Sequence, residues 1–268
     1  MLLTHPETFR KGYEPVVDRK GPNGDVLMDF GVLTLAAFES WQSGPTDEKA
    51  ALLMSGSAEL AWDGHDAVRI ARTSLLDESP TTLHLPDGIG FQVKAGPEGA
   101  ELLVFRTDNP RRFAARFYPP ADCRSENRGK GSMQETSTRI VRTVFDDSNA
   151  SEANLVLGEV VTAPGRWSSY PPHHHPQPEV YHYRILPRQG FGLTAIGTES
   201  HIVHDQDTVL IRDGQDHPQV SAPGYAMWYV WVIRHLDGCR YNIGQVFTKE
   251  HAWVQQPDAA IWSPREGA

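Results

Sequence analysis

The residues best equipped for chemistry lie in one stretch, Ser169-Tyr170-Pro171-Pro172-His173-His174-His175-Pro176-Gln177-Pro178-Glu179. On an extended backbone, side chains two apart share a face, so His173 and His175 point one way and His174 the other. His174 is therefore read as exposed or as a support for its neighbours. Two imidazoles and the Glu179 carboxylate make most of a site for a divalent metal. Zinc, iron, manganese and nickel all accept that mixture, given three or four ligands drawn from separate pieces of chain. His217, in Arg212-Asp213-Gly214-Gln215-Asp216-His217-Pro218, is the candidate fourth ligand. Val209-Leu210-Ile211, an apolar run of strand type, would return the chain beside the first stretch. A bare His-x-His is weak evidence, because consecutive histidines also occur in solvated loops. Glu179 at short spacing, strand-like sequence on both sides and a downstream Gly-x-x-His favour the metal.

Other groups near this cluster could handle a polyhydroxy acid. Along Glu179-Val180-Tyr181-His182-Tyr183-Arg184, one strand face carries Glu179, Tyr181 and Tyr183 and the other Val180, His182 and Arg184. Arginine is a natural grip for a carboxylate, because its planar donors match two oxygens. A bulge could turn Arg184 toward the cluster, and its competing role is an ion pair at a strand edge. Tyr181 can donate to a sugar hydroxyl or relay a proton. So can Tyr229, from Pro223-Gly224-Tyr225-Ala226-Met227-Trp228-Tyr229-Val230, although each is equally suited to packing.

The elements that must position these groups read as strands. Leu27 to Phe38, Leu52 to Gly64, Ala67 to Arg72, Thr81 to Leu85, Gly90 to Ala95 and Ala100 to Arg106 are short apolar runs bounded by turn residues, and Asp63-Gly64 is a hairpin signal. Residues 5 to 24, rich in Pro, Gly and charge, read as an irregular lead. A second series comprises Arg139 to Phe145, Leu155 to Val161, Glu179 to Leu186, Phe191 to Gly197, Thr208 to Ile211 and Ala226 to Ile233. With no good helix of ten residues or more, the fold class is all-β, two barrels or sandwiches in tandem. Residues 1–125 would form the first and 126–268 the second. Between Arg111 and Thr138 the texture turns to Pro, Arg, Asn, Gly and Ser, read as a linker or as a loop over the site. The first half offers only solitary histidines such as His65 and His84, so the chemistry is assigned to the second. His251-Ala252-Trp253-Val254 and Ile261-Trp262 suggest a docked tail.

Composition narrows the partners. With 268 residues and 22% of them charged, the chain is an ordinary globular protein. A formal charge of -9 argues against nucleic acid as a partner, because phosphate binding needs a concentrated basic surface. It leaves a small anionic ligand open, since pocket chemistry is local. The two cysteines, Cys123 and Cys239, form no disulfide framework and are read as free thiols. No apolar stretch of membrane-spanning length and no basic, apolar leader is found, so no membrane association and a cytoplasmic location are expected. A homo-oligomer is compatible with the sequence.

The run Gly158-Glu159-Val160 through Trp167-Ser168-Ser169-Tyr170-Pro171-Pro172-His173-His174-His175, then Glu179-Val180-Tyr181-His182-Tyr183-Arg184-Ile185, resembles the 5-deoxy-glucuronate isomerase family of inositol catabolism. That family belongs to the cupin superfamily and is related to the 4-deoxy-5-keto-uronate isomerases. The resemblance implies a bicupin whose C-terminal barrel binds a metal through His173, His175, Glu179 and His217. It implies an aldose–ketose isomerisation of 5-deoxy-D-glucuronate to 5-dehydro-2-deoxy-D-gluconate. Zinc would suffice because no electron is transferred, and manganese or iron would fit the same donors. Glu179, Tyr181 and Tyr229 are the candidates for moving the proton, and Arg184 the candidate for holding the distal carboxylate. The chain departs from the family at His174, where a lysine is frequent, at the short Pro176-Gln177-Pro178, at Tyr181-His182-Tyr183-Arg184 and at Arg212, where a proline is usual. Two other readings compete: an iron-dependent cupin dioxygenase, and a non-catalytic sugar-acid-binding cupin such as a transcriptional sensor. The second lacks any recognisable helix-turn-helix.

Overall fold

The computed structural model describes residues 1–242 and 246–264. Every strand pairing within it is antiparallel, and the expected all-β class is what the chain adopts. The first half forms an eight-stranded sheet whose path runs Gly12–Val17, Asp29–Leu35, Phe91–Thr107, Glu48–Trp62, Thr82–Leu85 and Arg116–Tyr118, with Ser40–Ser43 and Val68–Arg72 branching from the two long strands. The second half forms a seven-stranded sheet, in the order Leu2–Leu3, Thr208–Ile211, Glu179–Leu186, Ala226–Arg234, Leu155–Thr162, Arg139–Phe145 and Arg124–Arg128. A four-stranded sheet lies with it: Trp167–Ser168, Gln219–Ser221, Gly192–Ile196 and Glu199–Val203. His173–His174 pairs separately with Val246–Phe247. These sheets are open rather than closed into the rings that the word barrel implies.

Alternation of side chains makes three large cores and one small one among the described residues. In the first half, Leu33, Leu53, Leu60, Leu102 and Val104 fill the interior with apolar groups. In the second, Tyr181, Tyr183, Ile185, Val209, Met227 and Tyr229 face inward. The opposite faces of the two large sheets meet each other: Phe30, Leu52, Leu103 and Phe105 from the first pack against Leu157, Val180, Leu210, Trp228 and Val230 from the second. The halves thus share a hydrophobic interface, and the C-terminal sheet has no solvent-facing side over its central strands.

Buried polar clusters tie the same interface. Glu159 takes Arg72 Nη2 at 2.7 Å on Oε1 and Arg72 Nη1 at 3.0 Å on Oε2, and Arg142 Nη1 reaches Oε1 at 2.8 Å. Glu48 accepts from the Asn154 and Leu155 amides at 2.7 and 3.1 Å and from Asn109 Nδ2 at 2.6 Å, and contacts His84 Nε2 at 2.9 Å. Hydrogen bonding from so many donors outweighs burial and holds the Glu48 carboxyl below the usual carboxylate range. His84 is accordingly a polar-core residue, while His65 is exposed.

Several expectations need correction. Gly12–Val17, within the supposedly irregular lead, is a strand; Pro15 fits because this is an edge strand, where a missing amide costs nothing to the ladder. Phe91–Thr107 is one bent strand where two were expected between Gly90 and Arg106, and it pairs with Glu48–Trp62 so closely that a Cβ on Gly56 would sit 2.2 Å from the Gly99 carbonyl oxygen. The segment 111–138 is not a bare linker. Arg116–Tyr118 pairs with Thr82–Leu85, and Arg124–Arg128 pairs with Arg139–Phe145, so position 125 falls inside a strand of the second half. That strand is polar on both faces because it is an edge, which is why its sequence reads as loop. Among the described residues of the tail from 251 onward, a short 3₁₀ turn, Ala252–Gln255, is the only regular element, and Trp253 and Trp262 are exposed because apolar residues there are isolated among polar ones. Cys123 and Cys239 are free thiols.

Candidate metal centre and active site

Three separate elements deliver the cluster. Glu179 opens a strand held in register between Ile211 and Ile233, which fixes its carboxylate on the inward face. His173 sits in the short strand paired to Phe247, and His175 follows two residues later. His217 leads into Gln219–Ser221, which pairs with the Trp167–Ser168 strand just ahead of the histidine run. All four side chains are buried.

The structure brings three of these four residues to one point and His173 next to them. His175 Nε2 lies 3.2 Å and His217 Nε2 3.5 Å from Glu179 Oε2. One ligand atom from each of His175, Glu179 and His217 falls within 4.8 Å of the others. His173 stands beside this group, its ring centroid 4.6 Å from that of His217. Each ring directs Nδ1 at a backbone carbonyl: His217 to Gln215 at 2.8 Å, His175 to Gln177 at 3.0 Å and His173 to Pro171 at 3.4 Å. A proton on Nδ1 leaves Nε2 with its lone pair, the tautomer a metal ligand requires. Burial lowers the proton affinity of His173 and His217, which keeps both imidazoles neutral. His217 Nε2 is buried without a hydrogen-bond partner. Imidazoles converging on one carboxylate, with an unsatisfied nitrogen among them, fit a divalent cation. His174 points away, its Nδ1 2.9 Å from Asp216 Oδ1, as its parity requires.

A cavity of about 310 Å³ opens over the cluster. Its walls come from the inward faces of the central strands, including Val141, Val160, Tyr181, Tyr229 and Trp231. Tyr229 Oη and Ser168 Oγ are 2.6 Å apart, and Tyr181 Oη is 3.3 Å from Ser169 Oγ. The Tyr181 and Tyr229 rings lie 4.8 Å apart, and Tyr181 stands 5.8 Å from the His217 ring. Burial raises the proton affinity of both phenols, so they are neutral donors at ordinary pH.

Arg184 is not in this cavity. It shares the opposite face with Val180 and His182, ion-paired through Nη2 to Glu101 and lying 3.5 Å from Asp205 Oδ2 through Nη1. All eight residues of Glu179–Leu186 pair with Ala226–Arg234 without a register shift, so no bulge turns Arg184 inward. Arg139, Ser168, Ser169, Trp231 and Tyr241, none of them among the residues expected at the site, also line the cavity. The signal for Arg139 was available: it begins a strand whose alternate members Val141 and Thr143 also face in. Ser168 and Ser169 lay in the motif but had no partner to define them until the tyrosines were placed.

Open antiparallel sheets packed back to back, with a His/Glu cluster in one half, define a protein of the cupin class. The KduI/IolB family model matches residues 2–254, and the chain belongs to that family. Relatives named 5-deoxy-glucuronate isomerase include one from Shouchella clausii (31% identical, covering 68% of this chain and 70% of the relative) and one from Bacillus licheniformis (26%, covering 87% and 91%). An IolB-like protein of Salmonella typhimurium LT2 superimposes with a TM-score of 0.83 at 25% identity, covering 95% of this chain and 99% of that one. Oxalate decarboxylase of Bacillus subtilis shares the fold with a TM-score of 0.61 at 13% identity, covering 87% and 77%. The protein is thus an isomerase of this family. Among the described residues, no helix is long and apolar enough to cross a membrane.

Proposed function

We propose that the protein interconverts the aldose and ketose forms of a sugar acid of the 5-deoxy-D-glucuronate type, in a site that holds a divalent metal on His173, His175, Glu179 and His217. The observation that carries this reading is the convergence of imidazole Nε2 atoms and one carboxylate at the wall of a cavity of about 310 Å³. A bound divalent ion would supply Lewis-acid stabilisation to the negative charge that develops on the sugar oxygens. Zinc is the proposed ion, because the isomerisation transfers no electron to the metal; manganese or iron would accept the same donors.

The chain's own groups account for the proton. The hydrogen next to the aldehyde must leave as a proton and return at the neighbouring carbon, which requires a base and a donor near the two carbons. Tyr181 and Tyr229, neutral and hydrogen-bonded to Ser169 and Ser168, can donate to a substrate oxygen and exchange protons along those hydroxyls. Glu179, the carboxylate between His175 and His217, is the candidate base when its bond to the ion exchanges. The cavity volume of about 310 Å³ suits a small ligand.

Proton NMR in deuterated water, following metal-analysed protein with 5-deoxy-D-glucuronate under anaerobic conditions, tests the reaction. The expected result is conversion to the ketose with deuterium at the carbon that receives the proton. An unchanged aldose spectrum with a metal-loaded, folded protein refutes the proposal.

A further inference from the structure

With Arg184 committed elsewhere, the cavity still contains a cation suited to a carboxylate. We infer that Arg139 holds the carboxylate of the substrate and sets the preference for an acid over a neutral sugar; this rests on the sugar-acid reading above.

Among the described residues three arginines line the cavity, and two are already neutralised. Arg124 pairs with Asp146 and donates to Ser148 Oγ at 2.9 Å, and Arg128 pairs with Glu126 through Nη2 and through Nε at 2.9 Å. Arg139 differs. It is 6% exposed, and among the described residues it forms no ion pair. Its Nη1 donates to the Ser137 carbonyl at 2.7 Å and the Ser137 hydroxyl at 2.9 Å, both neutral acceptors. No described residue accepts from its Nε or Nη2. A buried guanidinium without an anion is costly, and a carboxylate that meets the free edge of its planar fork removes that cost with two parallel hydrogen bonds.

Its placement suits that role. Arg139 alternates with Val141 and Thr143 on the cavity face and is in register with Thr162, which is in turn opposite Met227. Its charge acts on the Tyr229 and Tyr181 hydroxyls and on His173, which places it within electrostatic reach of the cluster. Ser137, which holds one end of the guanidinium, donates to the Tyr170 carbonyl at 3.4 Å, so the loop that carries the histidines also braces the arginine. A sugar acid bound between them has its carboxylate at one end and its reacting carbons at the other.

Calorimetric titration of D-glucuronate and of D-glucose tests the inference without requiring turnover. It is run on wild type, Arg139→Met, Arg139→Lys and Arg184→Met, each with and without prior chelator treatment and each checked for an unchanged thermal midpoint. Wild type is expected to prefer the uronate. Arg139→Met should weaken uronate binding about 10- to 150-fold, the loss of charge-assisted hydrogen bonds, and leave glucose within about twofold. Arg139→Lys should recover part of the preference, and Arg184→Met should keep all of it. An unaltered uronate affinity in Arg139→Met, an equal loss for both sugars, or a wild type without preference would overturn the inference. Arg139-dependent uronate binding with no ketose in the NMR experiment would sink the isomerase proposal alone; turnover with Arg139-independent binding would sink only this one.

Discussion

Glu159→Gln should cost the protein a large part of its stability without touching the metal cluster. The Glu159 carboxylate is fully buried between Arg72 and Arg142, which are also buried, and it takes three hydrogen bonds from them at 2.7 to 3.0 Å. Glutamine preserves the shape and removes the charge, leaving two guanidiniums in the interface between the halves without an anion. Their remaining acceptors are carbonyls: Leu53, Leu75 and Glu78 for Arg72, at 3.2, 3.4 and 2.7 Å, and Leu75, Leu76 and Glu78 for Arg142, at 2.9, 2.6 and 2.7 Å. These satisfy donors but not charge, so the loss belongs to the class of broken buried ion pairs, about 3–5 kcal/mol. Against a total of about 5–15 kcal/mol this is severe. At a slope of about 3 kcal/mol/M it moves the urea midpoint down by about 1 to 2 M. Urea unfolding followed by tryptophan fluorescence measures it directly. A loss below about 1 kcal/mol would mean that the carbonyls alone stabilise the guanidiniums, and the account of the interface would fail.

Gly158→Ala should reshape the cavity, because the added Cβ would stand 2.3 Å from Trp231 Cζ2 and 2.6 Å from the Arg142 carbonyl oxygen. The indole must move by about 1 Å or more into the cavity, at about 1–3 kcal/mol of overpacking. A raised KM with intact metal content is the expected result, and an unaltered KM and thermal midpoint would contradict it. Stability should also fall as pH drops below about 6.5, since burial, with Arg184 and His5 adding, lowers the proton affinity of His182, and burial brings that of His235 to about 4. The sign follows from which state binds the proton: above about 6.5 both states are neutral, and below it the unfolded chain is protonated while the folded one is not. Each such imidazole removes at most about 1.4 kcal/mol per pH unit. His182→Gln should flatten the dependence of the urea midpoint on pH between 6.5 and 5, and an identical slope in that variant would exclude His182 as a source.

Much of this was legible because period-two patterning is a strong signal where both faces of a sheet are buried for different reasons. The inward set Glu179, Tyr181 and Tyr183 and the outward set Val180, His182 and Arg184 could be written down from the sequence, and the uninterrupted register preserves them. What the pattern could not say is what the outward face meets. That face packs on the first half, so Arg184, with a side chain suited to substrate, is held instead by Glu101 and Asp205. The polar edge strand Arg124–Arg128 was hidden for a related reason, since an edge has no apolar alternation to betray it. Alternation with Val141 and Thr143 puts Arg139 on the inward face, but nothing local tells that a strand arginine lacks an ion partner; that depends on residues far along the chain.

The central claim is that His173, His175, Glu179 and His217 hold one divalent ion. Elemental analysis of protein dialysed against limiting zinc, in wild type and in His217→Ala, tests it most directly, with circular dichroism confirming that the variant is folded. About one ion per chain in the wild type and a near-total loss in the variant is the predicted result. A folded His217→Ala protein with full metal content, or a wild type that retains none, would contradict it.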